Sequence, residues 1–194
     1  IHAQVRLTAT TQLVDRDVPG RNGVVKFALI EDMALLRPRF KGELTTIEKQ
    51  IVETKAEHDY IARVIFKNLK PNTSYIIKTK IGIDEDTLRP GPTGRFITHP
   101  GKDQSRPISF VVVTGMNYAK FHGDNRIDRK IHLEHNNTEL PEPYQGRDKH
   151  LGYPALASIS KLRPHFFVGT GDNVYYDTPK DPRAETIEEM RQKW

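Results

Sequence analysis

The chain has 194 residues, with 30 Lys and Arg against 25 Asp and Glu and no cysteine. The lack of cysteine excludes disulfides, thiolate nucleophiles and cysteine metal ligands together. The excess of five positive charges is scattered and indicates no nucleic-acid surface, and no apolar run approaches the roughly 20 residues of a transmembrane segment. The length allows one large domain or two small ones.

Short alternating runs separated by turn residues predict an all-β fold for residues 1–100. In the run YIARVIFKNL, every second residue from Tyr60 to Phe66 is apolar or aromatic. In PNTSYIIKTKIG, the residues Tyr75, Ile77 and Thr79 lie on one side of the predicted strand. Several strands at regular spacing, without a strong helical pattern, indicate a small β-sandwich.

One segment of this half resembles a known domain family. LKPNTSYIIKTKIG is similar to the strand pair of fibronectin type III domains in which a leucine, a proline turn and a tyrosine hold a corner. The resemblance implies a fibronectin type III-like sandwich over residues 1–100. Such a domain would serve as a docking or shielding module, or as a plain structural appendage.

A Pro- and Gly-rich polar segment, THPGKDQSRP, marks a domain boundary, and the pattern then changes class. The runs ISFVVVTG and HFFVGTG predict two strands buried on both faces, and YPALASISKL between them predicts a helix. Strand, helix and strand form a βαβ unit with parallel strands. Residues 108–194 are therefore predicted to begin an α/β domain, with a long polar insertion at 117–150.

Ligand sites of open α/β sheets lie at the carboxyl ends of the strands, which directs attention to the loops TGMNYAKFHGD and GTGDNVYYD. Asp172 follows the second strand after two glycines that permit a tight turn. Tyr175 could fold back toward an ion bound by Asp172, and Asn173 adds a neutral oxygen donor. We interpret these residues as half of a metal site; the alternative is that Asp172 caps a turn and the tyrosines pack under a loop.

GTGDNVYYD resembles the second metal-binding motif of the calcineurin-like metallophosphoesterases, in the two branches that pair aspartate with tyrosine: purple acid phosphatases and PhoD-like alkaline phosphatases. VVVTGMNYAKF is similar to the PhoD-like pattern. The resemblance implies hydrolysis of a phosphate ester substrate by a binuclear centre of Fe(III) with Ca, Zn or Mn. It implies that Asp172 bridges the ions, that Tyr175 binds ferric iron, and that Asn173 or Asn117 orients a phosphate oxygen.

The first loop departs from this pattern, because Thr114, Gly115 and Met116 stand where these families have a cysteine or aspartate ligand. Either the ion has one fewer protein ligand, or Asn117, His122 or Asp124 substitutes, or the site holds a different metal. The departure motivates a second hypothesis, a non-catalytic binding protein on a degenerate metallophosphoesterase scaffold. A third is an enzyme similar to purple acid phosphatases.

Further ligands of these families follow later in the chain than Trp194, so we expect the sequence to be the N-terminal portion of a longer enzyme. Its partner would be the remainder of its own catalytic domain. The segment ETIEEMRQKW predicts an amphipathic helix, capped by Asp181 with Pro182 next. The resemblance and the missing initiator methionine imply an exported protein, periplasmic or extracellular.

Overall fold

A computed structural model describes most of the chain and shows two compact units. The first unit comprises residues 1–12 and 19–107, and the second comprises 13–18 and 108–194. The described residues are 1–10, 14, 18–32, 45–117, 121, 130, 142–149, 152–177 and 183–193. His122, Asp124, Asp181 and Pro182 lie outside them, as does most of the predicted insertion.

The first unit consists of six described strands and one short 3-10 helix, Ala56–His58. One antiparallel sheet pairs two strands, β1 with β4, and the other has four strands in the order β3-β2-β5-β6. The strands are β1 (His2–Arg6), β2 (Gly23–Glu31), β3 (Thr46–Thr54), β4 (Ile61–Ile65), β5 (Ser74–Gly82) and β6 (Arg89–Ile97).

The two sheets share a single apolar core. Phe27 of β2, Val64 of β4 and Tyr75 of β5 belong to one cluster of buried side chains, so each sheet turns one face inward. From Ile77 to Lys80 the side chains of β5 alternate, because Ile77 and Thr79 are buried while Lys78 and Lys80 are exposed. At the start of the strand Tyr75 and Ile76 are both buried. The all-β prediction for this half is confirmed. The fibronectin type III-like identity and the domain bounds stay predictions.

Two features of the first unit were not predicted. The segment TIEKQIVET forms β3 at the edge of the larger sheet, and its outward isoleucines, Ile47 and Ile51, are exposed. β6 begins at Arg89, several residues before the predicted GRFITH, and it includes Pro90 and Pro92. Both are edge strands, where proline is tolerated and where the hydrophobic pattern is weakest because one side of the strand lacks a neighbour.

Tyr75 occupies the position at which the segment LKPNTSYIIKTKIG led us to expect a tyrosine that stabilises a strand corner. Its ring is buried with 1% exposure and stacks on Phe96 at 5.4 Å between centroids. Its hydroxyl accepts a hydrogen bond of 3.0 Å from the backbone N–H of Lys70, five residues earlier. This is the tyrosine-corner arrangement known from β-sandwich domains.

We expect Tyr75→Phe to lower the free energy of unfolding by about 1 kcal/mol, because it removes one hydrogen bond and keeps the ring packing. Urea unfolding followed by circular dichroism measures the change. Tyr60→Phe is the matched control, since Tyr60 is half-buried and lies outside the apolar core. Equal losses in the two variants would contradict a specific role for the corner.

The second unit contains two parallel strands with a helix between them. β7 (Phe110–Val113) pairs with β8 (Phe166–Gly169), and the register places Val113 opposite Gly169. The intervening helix α1 (Pro154–Leu162) has proline in its first turn and ends at Arg163 in a left-handed conformation. The predicted strand, helix and strand with parallel pairing are confirmed. No helix in the described ranges is long and apolar enough to cross a membrane.

The prediction that β7 and β8 are buried on both faces is wrong. Phe110 is 55% exposed, Val112 52% and Phe166 47%, and the rings of Phe110 and Phe166 stack on each other at 5.1 Å. Within the described residues these strands form a sheet of only two, which offers too few neighbours to cover both faces.

A second helix, α2 (Ile187–Lys193), begins later than the sequence predicted. The Thr186 hydroxyl accepts a hydrogen bond from the Glu189 N–H at 3.2 Å, and the Glu189 carboxylate accepts from the Thr186 N–H at 3.3 Å. This reciprocal pair is a capping box, which satisfies two backbone donors at the helix start. Thr186 is therefore the N-cap of α2, a signal that the sequence carries in Thr-Ile-Glu-Glu. The predicted cap, Asp181, lies outside the described residues.

Candidate metal centre

The two loops singled out in the sequence meet at the carboxyl ends of β7 and β8. Because β7 and β8 are parallel and in register, the loops that follow them leave the sheet at the same end. The Thr170 N–H donates to the Val113 carbonyl at 3.0 Å, and the Thr114 hydroxyl donates to the Gly171 carbonyl, also at 3.0 Å. The Met116 N–H donates to the Asp172 carbonyl at 2.8 Å. The Thr170 hydroxyl also donates to the Val113 carbonyl, at 3.1 Å. Four hydrogen bonds thus hold the end of β7 and the first loop against the second loop.

Asp172 adopts an unusual backbone conformation. Its φ is 51°, in the left-handed region, and Gly171 before it has φ 128°. Aspartate tolerates this region better than most residues because its short polar side chain can bond locally. Such conformations persist where the surrounding structure enforces them, and here the bond from Met116 to the Asp172 carbonyl contributes to doing so. The turn leaves the Asp172 carboxylate exposed beyond the strand end.

Tyr175 folds back onto Asp172. Its hydroxyl donates a hydrogen bond of 2.9 Å to the Asp172 carboxylate. This bond raises the pKa of Tyr175 above its ordinary value, with smaller contributions from partial desolvation and from the charges of Asp172 and Asp177. Tyr175 is therefore a neutral phenol at neutral pH, and its hydroxyl oxygen lies beside a carboxylate oxygen of Asp172 at the turn.

The raised pKa gives a testable pH dependence. Native contacts favour the protonated phenol, so their contribution to stability is present below the unfolded tyrosine pKa of about 10 and is lost as pH rises through the higher native pKa. We expect ultraviolet titration to show Tyr175 ionising above the usual range, taken as the difference between the chain and its Tyr175→Phe variant. In Asp172→Asn, the ionisation should return toward the usual range, and no change there would contradict the assigned cause.

Asn173 presents an oxygen whose bonding is incomplete. Its side chain lies over Gly169, where an added Cβ would be only 2.8 Å from Oδ1. Oδ1 is inaccessible to solvent and has no hydrogen-bond partner among the described residues. A buried carboxamide oxygen without a partner is costly, and binding a cation is one way to satisfy it. Glycine at 169 is what leaves room for this arrangement.

The other predicted site residues are Asn117, His122 and Asp124, and among the described residues no hydrogen bond joins Asn117 to Asp172 or Tyr175. Asn117 directly follows Met116 in the first loop, and its carbonyl accepts a hydrogen bond of 3.1 Å from the Phe121 N–H. His122 and Asp124 lie outside the described residues. In the described part of the chain, no group of three or more His, Asp and Glu residues could hold a metal ion.

An aromatic group beside the first loop was not foreseen from the sequence. The Phe121 ring lies 5.1 Å from that of Tyr144 and 4.6 Å from that of Tyr153. The Tyr144 hydroxyl donates to Asp148 at 2.6 Å, which raises the pKa of Tyr144. These rings pack the described parts of the insertion next to Asn117. The spacing of Phe121, Tyr144 and Tyr153 along the chain does not predict that their rings pack together.

The available donors fit a hard cation. A carboxylate at Asp172, a phenol at Tyr175 and a carboxamide at Asn173 are all oxygen ligands, which suit Fe(III), Ca²⁺ or Mn²⁺ better than zinc, for which nitrogen and sulfur ligands are usual. The unpartnered Asn173 Oδ1 is the structural observation that agrees with such an ion.

Comparisons with known proteins leave the family open. No protein-family model matches the sequence, and no curated protein matches it. A solved structure described as "Structure of PhoD" aligns with 88% of this chain and 36% of its own, at 16% identity and a TM-score of 0.43. The chain thus spans about a third of that protein. At this level the similarity assigns neither a fold family nor an activity to the chain.

Proposed function

We propose that this chain supplies part of the metal centre of a PhoD-like phosphatase, an enzyme of the calcineurin-like metallophosphoesterase superfamily that hydrolyses phosphate esters. The observation that carries the proposal is the 2.9 Å bond between Tyr175 and Asp172 at the carboxyl end of β8. It places a carboxylate and a phenol together where the sequence motif GTGDNVYYD predicts two metal ligands. The fibronectin type III-like sandwich over 1–100 and the α/β domain beginning at 108 belong to the same proposal.

Each residue of the turn has a separate role in this proposal. Asp172 would bridge two ions, and Tyr175 would bind the more acidic of them after losing its proton. Asn173 would supply its unpartnered Oδ1 to an ion, or its amide N–H groups to a phosphate oxygen. Asn117 and His122 would complete the ligand set, or Asn117 would position the substrate.

A bound binuclear centre, Fe(III) with Ca, Zn or Mn, would polarise the phosphoryl oxygens and lower the pKa of a bound water. The chain's own contribution is to hold its oxygen atoms in place beforehand. The bonds from Thr114 and Met116 fix the backbone of the turn, and the Tyr175 bond keeps both side chains on one side of it. For Asp172 and Tyr175, binding an ion would then require release of the phenolic proton.

Iron binding with a phenolate ligand tests the proposal directly. We expect the intact protein, loaded with Fe(III), to show a visible charge-transfer absorption band, because tyrosinate bound to ferric iron absorbs in that region. Tyr175→Phe should abolish the band, whereas Tyr176→Phe, which alters the neighbouring ring, should retain it. A band that survives in Tyr175→Phe would remove Tyr175 from the metal centre.

One observation favours a non-catalytic binding protein as the second candidate. Where the related enzymes have a cysteine or aspartate ligand, the Thr114 hydroxyl and the Met116 N–H are engaged in bonds to the second loop. Neither residue offers a charged ligand. Phosphate binding without ester hydrolysis by the metal-loaded intact protein would support this candidate. Turnover with an acidic pH optimum would instead favour an enzyme similar to purple acid phosphatases.

The resemblance to PhoD-like phosphatases also implies a partner and a cellular location for the chain. The partner would be the remainder of the chain's own catalytic domain, which would cover the exposed faces of β7 and β8. An exported location, periplasmic or extracellular, is part of the proposal as well.

A further inference from the structure

The outward face of the four-stranded sheet in the first unit carries a group of lysines, which we call the lysine stripe: Lys26, Lys49, Lys78 and Lys80. Lys26 of β2 lies directly opposite Lys80 of β5. Ala28 of β2 lies between Lys49 of β3 and Lys78 of β5 in the next row. Residues opposite each other in a sheet share a face, so all four side chains project from the same surface.

The stripe is not neutralised by the rest of the described chain. Lys49, Lys78 and Lys80 are exposed and Lys26 is half-buried. The ammonium groups of the four side chains form no ion pair or hydrogen bond with any described residue. Like charges directly opposite each other destabilise a sheet, so the Lys26 and Lys80 pair carries a cost that folding alone does not explain. An anionic ligand would offset it.

The four lysines lie close together on the sheet. Two strand spacings separate Lys49 from Lys78, about 10 Å, and two residues along β5 separate Lys78 from Lys80, about 7 Å. The stripe therefore places four positive charges within a patch of about 10 Å by about 7 Å, which suits a ligand with closely spaced negative charges. Its long lysine side chains act as mobile point charges, which contact phosphate groups without demanding a fixed geometry.

The same face argues against two other anionic partners. Among its described residues there is no aromatic side chain on which a nucleic-acid base could stack. At one end of the face Glu53 and Glu85 lie beside Val24. A flat anionic membrane covering the whole face would meet these acids, whereas a chain lying along the stripe avoids them.

We propose that the lysine stripe binds a linear polymer of closely spaced phosphate groups. The proposal is independent of the metal centre, because the stripe lies in the other unit and involves none of its residues. It also makes a prediction about salt: four lysine contacts release counterions on binding, so the dissociation constant for a phosphate chain should rise roughly 50-fold between about 50 and 200 mM salt.

Calorimetric titration of the intact protein with long-chain inorganic polyphosphate tests the proposal. Replacing all four stripe lysines by glutamine should weaken binding strongly and remove most of its salt dependence. The matched control replaces four scattered, exposed lysines, Lys55, Lys67, Lys102 and Lys161, and thus changes the net charge equally. Binding by this control should stay close to that of the unchanged protein. Equal losses in both variants would overturn the proposal in favour of a general charge effect.

A single substitution, Lys80→Glu, should change stability and polyphosphate binding in opposite directions. Lys80→Glu places opposite charges across the β2 and β5 pair, so it should raise the thermal unfolding midpoint while weakening polyphosphate binding. A lower midpoint with unchanged binding would contradict both expectations. Tighter binding to single-stranded DNA of equal charge, or to phosphatidylglycerol vesicles, would also overturn the proposal and indicate a nucleic-acid or membrane surface instead.

Discussion

Asp172→Asn should lower the affinity of the intact protein for Fe(III) at least about 100-fold, since even residues that only support metal ligands cost 10- to 100-fold when replaced. Asparagine tolerates the left-handed conformation that Asp172 adopts at φ 51°, so the turn should keep its shape. The substitution thus removes a negative charge and little else. Hydrolysis of a phosphate ester should fall together with iron affinity.

Asp177→Asn is the matched control for this prediction. Asp177 is an exposed carboxylate five residues further along, and its replacement changes the charge near Tyr175 by the same amount. Competition titration with a chelator of known affinity gives the iron dissociation constant for each variant. If Asp172→Asn and Asp177→Asn bind iron equally well, Asp172 is not a ligand and the proposed centre fails.

Phe27→Ala should lower the free energy of unfolding of the first unit by about 3 to 5 kcal/mol, through lost apolar burial and the cavity left behind. Phe27 has 0% exposure and lies on β2, the strand between β3 and β5. Domains of this size are stable by only about 5 to 15 kcal/mol, so the variant should be close to unfolding at body temperature.

Urea unfolding followed by far-ultraviolet circular dichroism measures this loss. Ile83→Ala is the control, because Ile83 is 59% exposed and its replacement should change stability by less than about 0.5 kcal/mol. A loss below about 1 kcal/mol for Phe27→Ala would mean that the core is packed differently around β2.

The turn at Asp172 shows which parts of the candidate site can be predicted from the sequence. The apolar run before it, the two glycines and the spacing of three to Tyr175 are local features, and they predicted an oxygen-rich turn at a strand end. The hydrogen bonds from Thr114 and Met116 to that turn join residues more than fifty positions apart in the chain. Such pairings depend on the register of β7 with β8, which the composition of either strand does not specify.

Local periodicity determined much of this protein by itself. It determined the all-β first half, the inward side of β5 at Tyr75 and Ile77, the helix at Pro154–Leu162 and the strand segments before and after it. These follow from neighbouring residues, because side-chain alternation and helix-start signals act over a few positions.

Tertiary structure alone decided the rest. The edge strand β3, the exposure of Phe110 and Phe166, the unpartnered Asn173 Oδ1 and the alignment of the lysine stripe all depend on which strands become neighbours. A strand's pattern shows which side is apolar, but burial requires a second surface to cover it, and a charged stripe requires separate strands in register. Both are long-range properties of the folded chain.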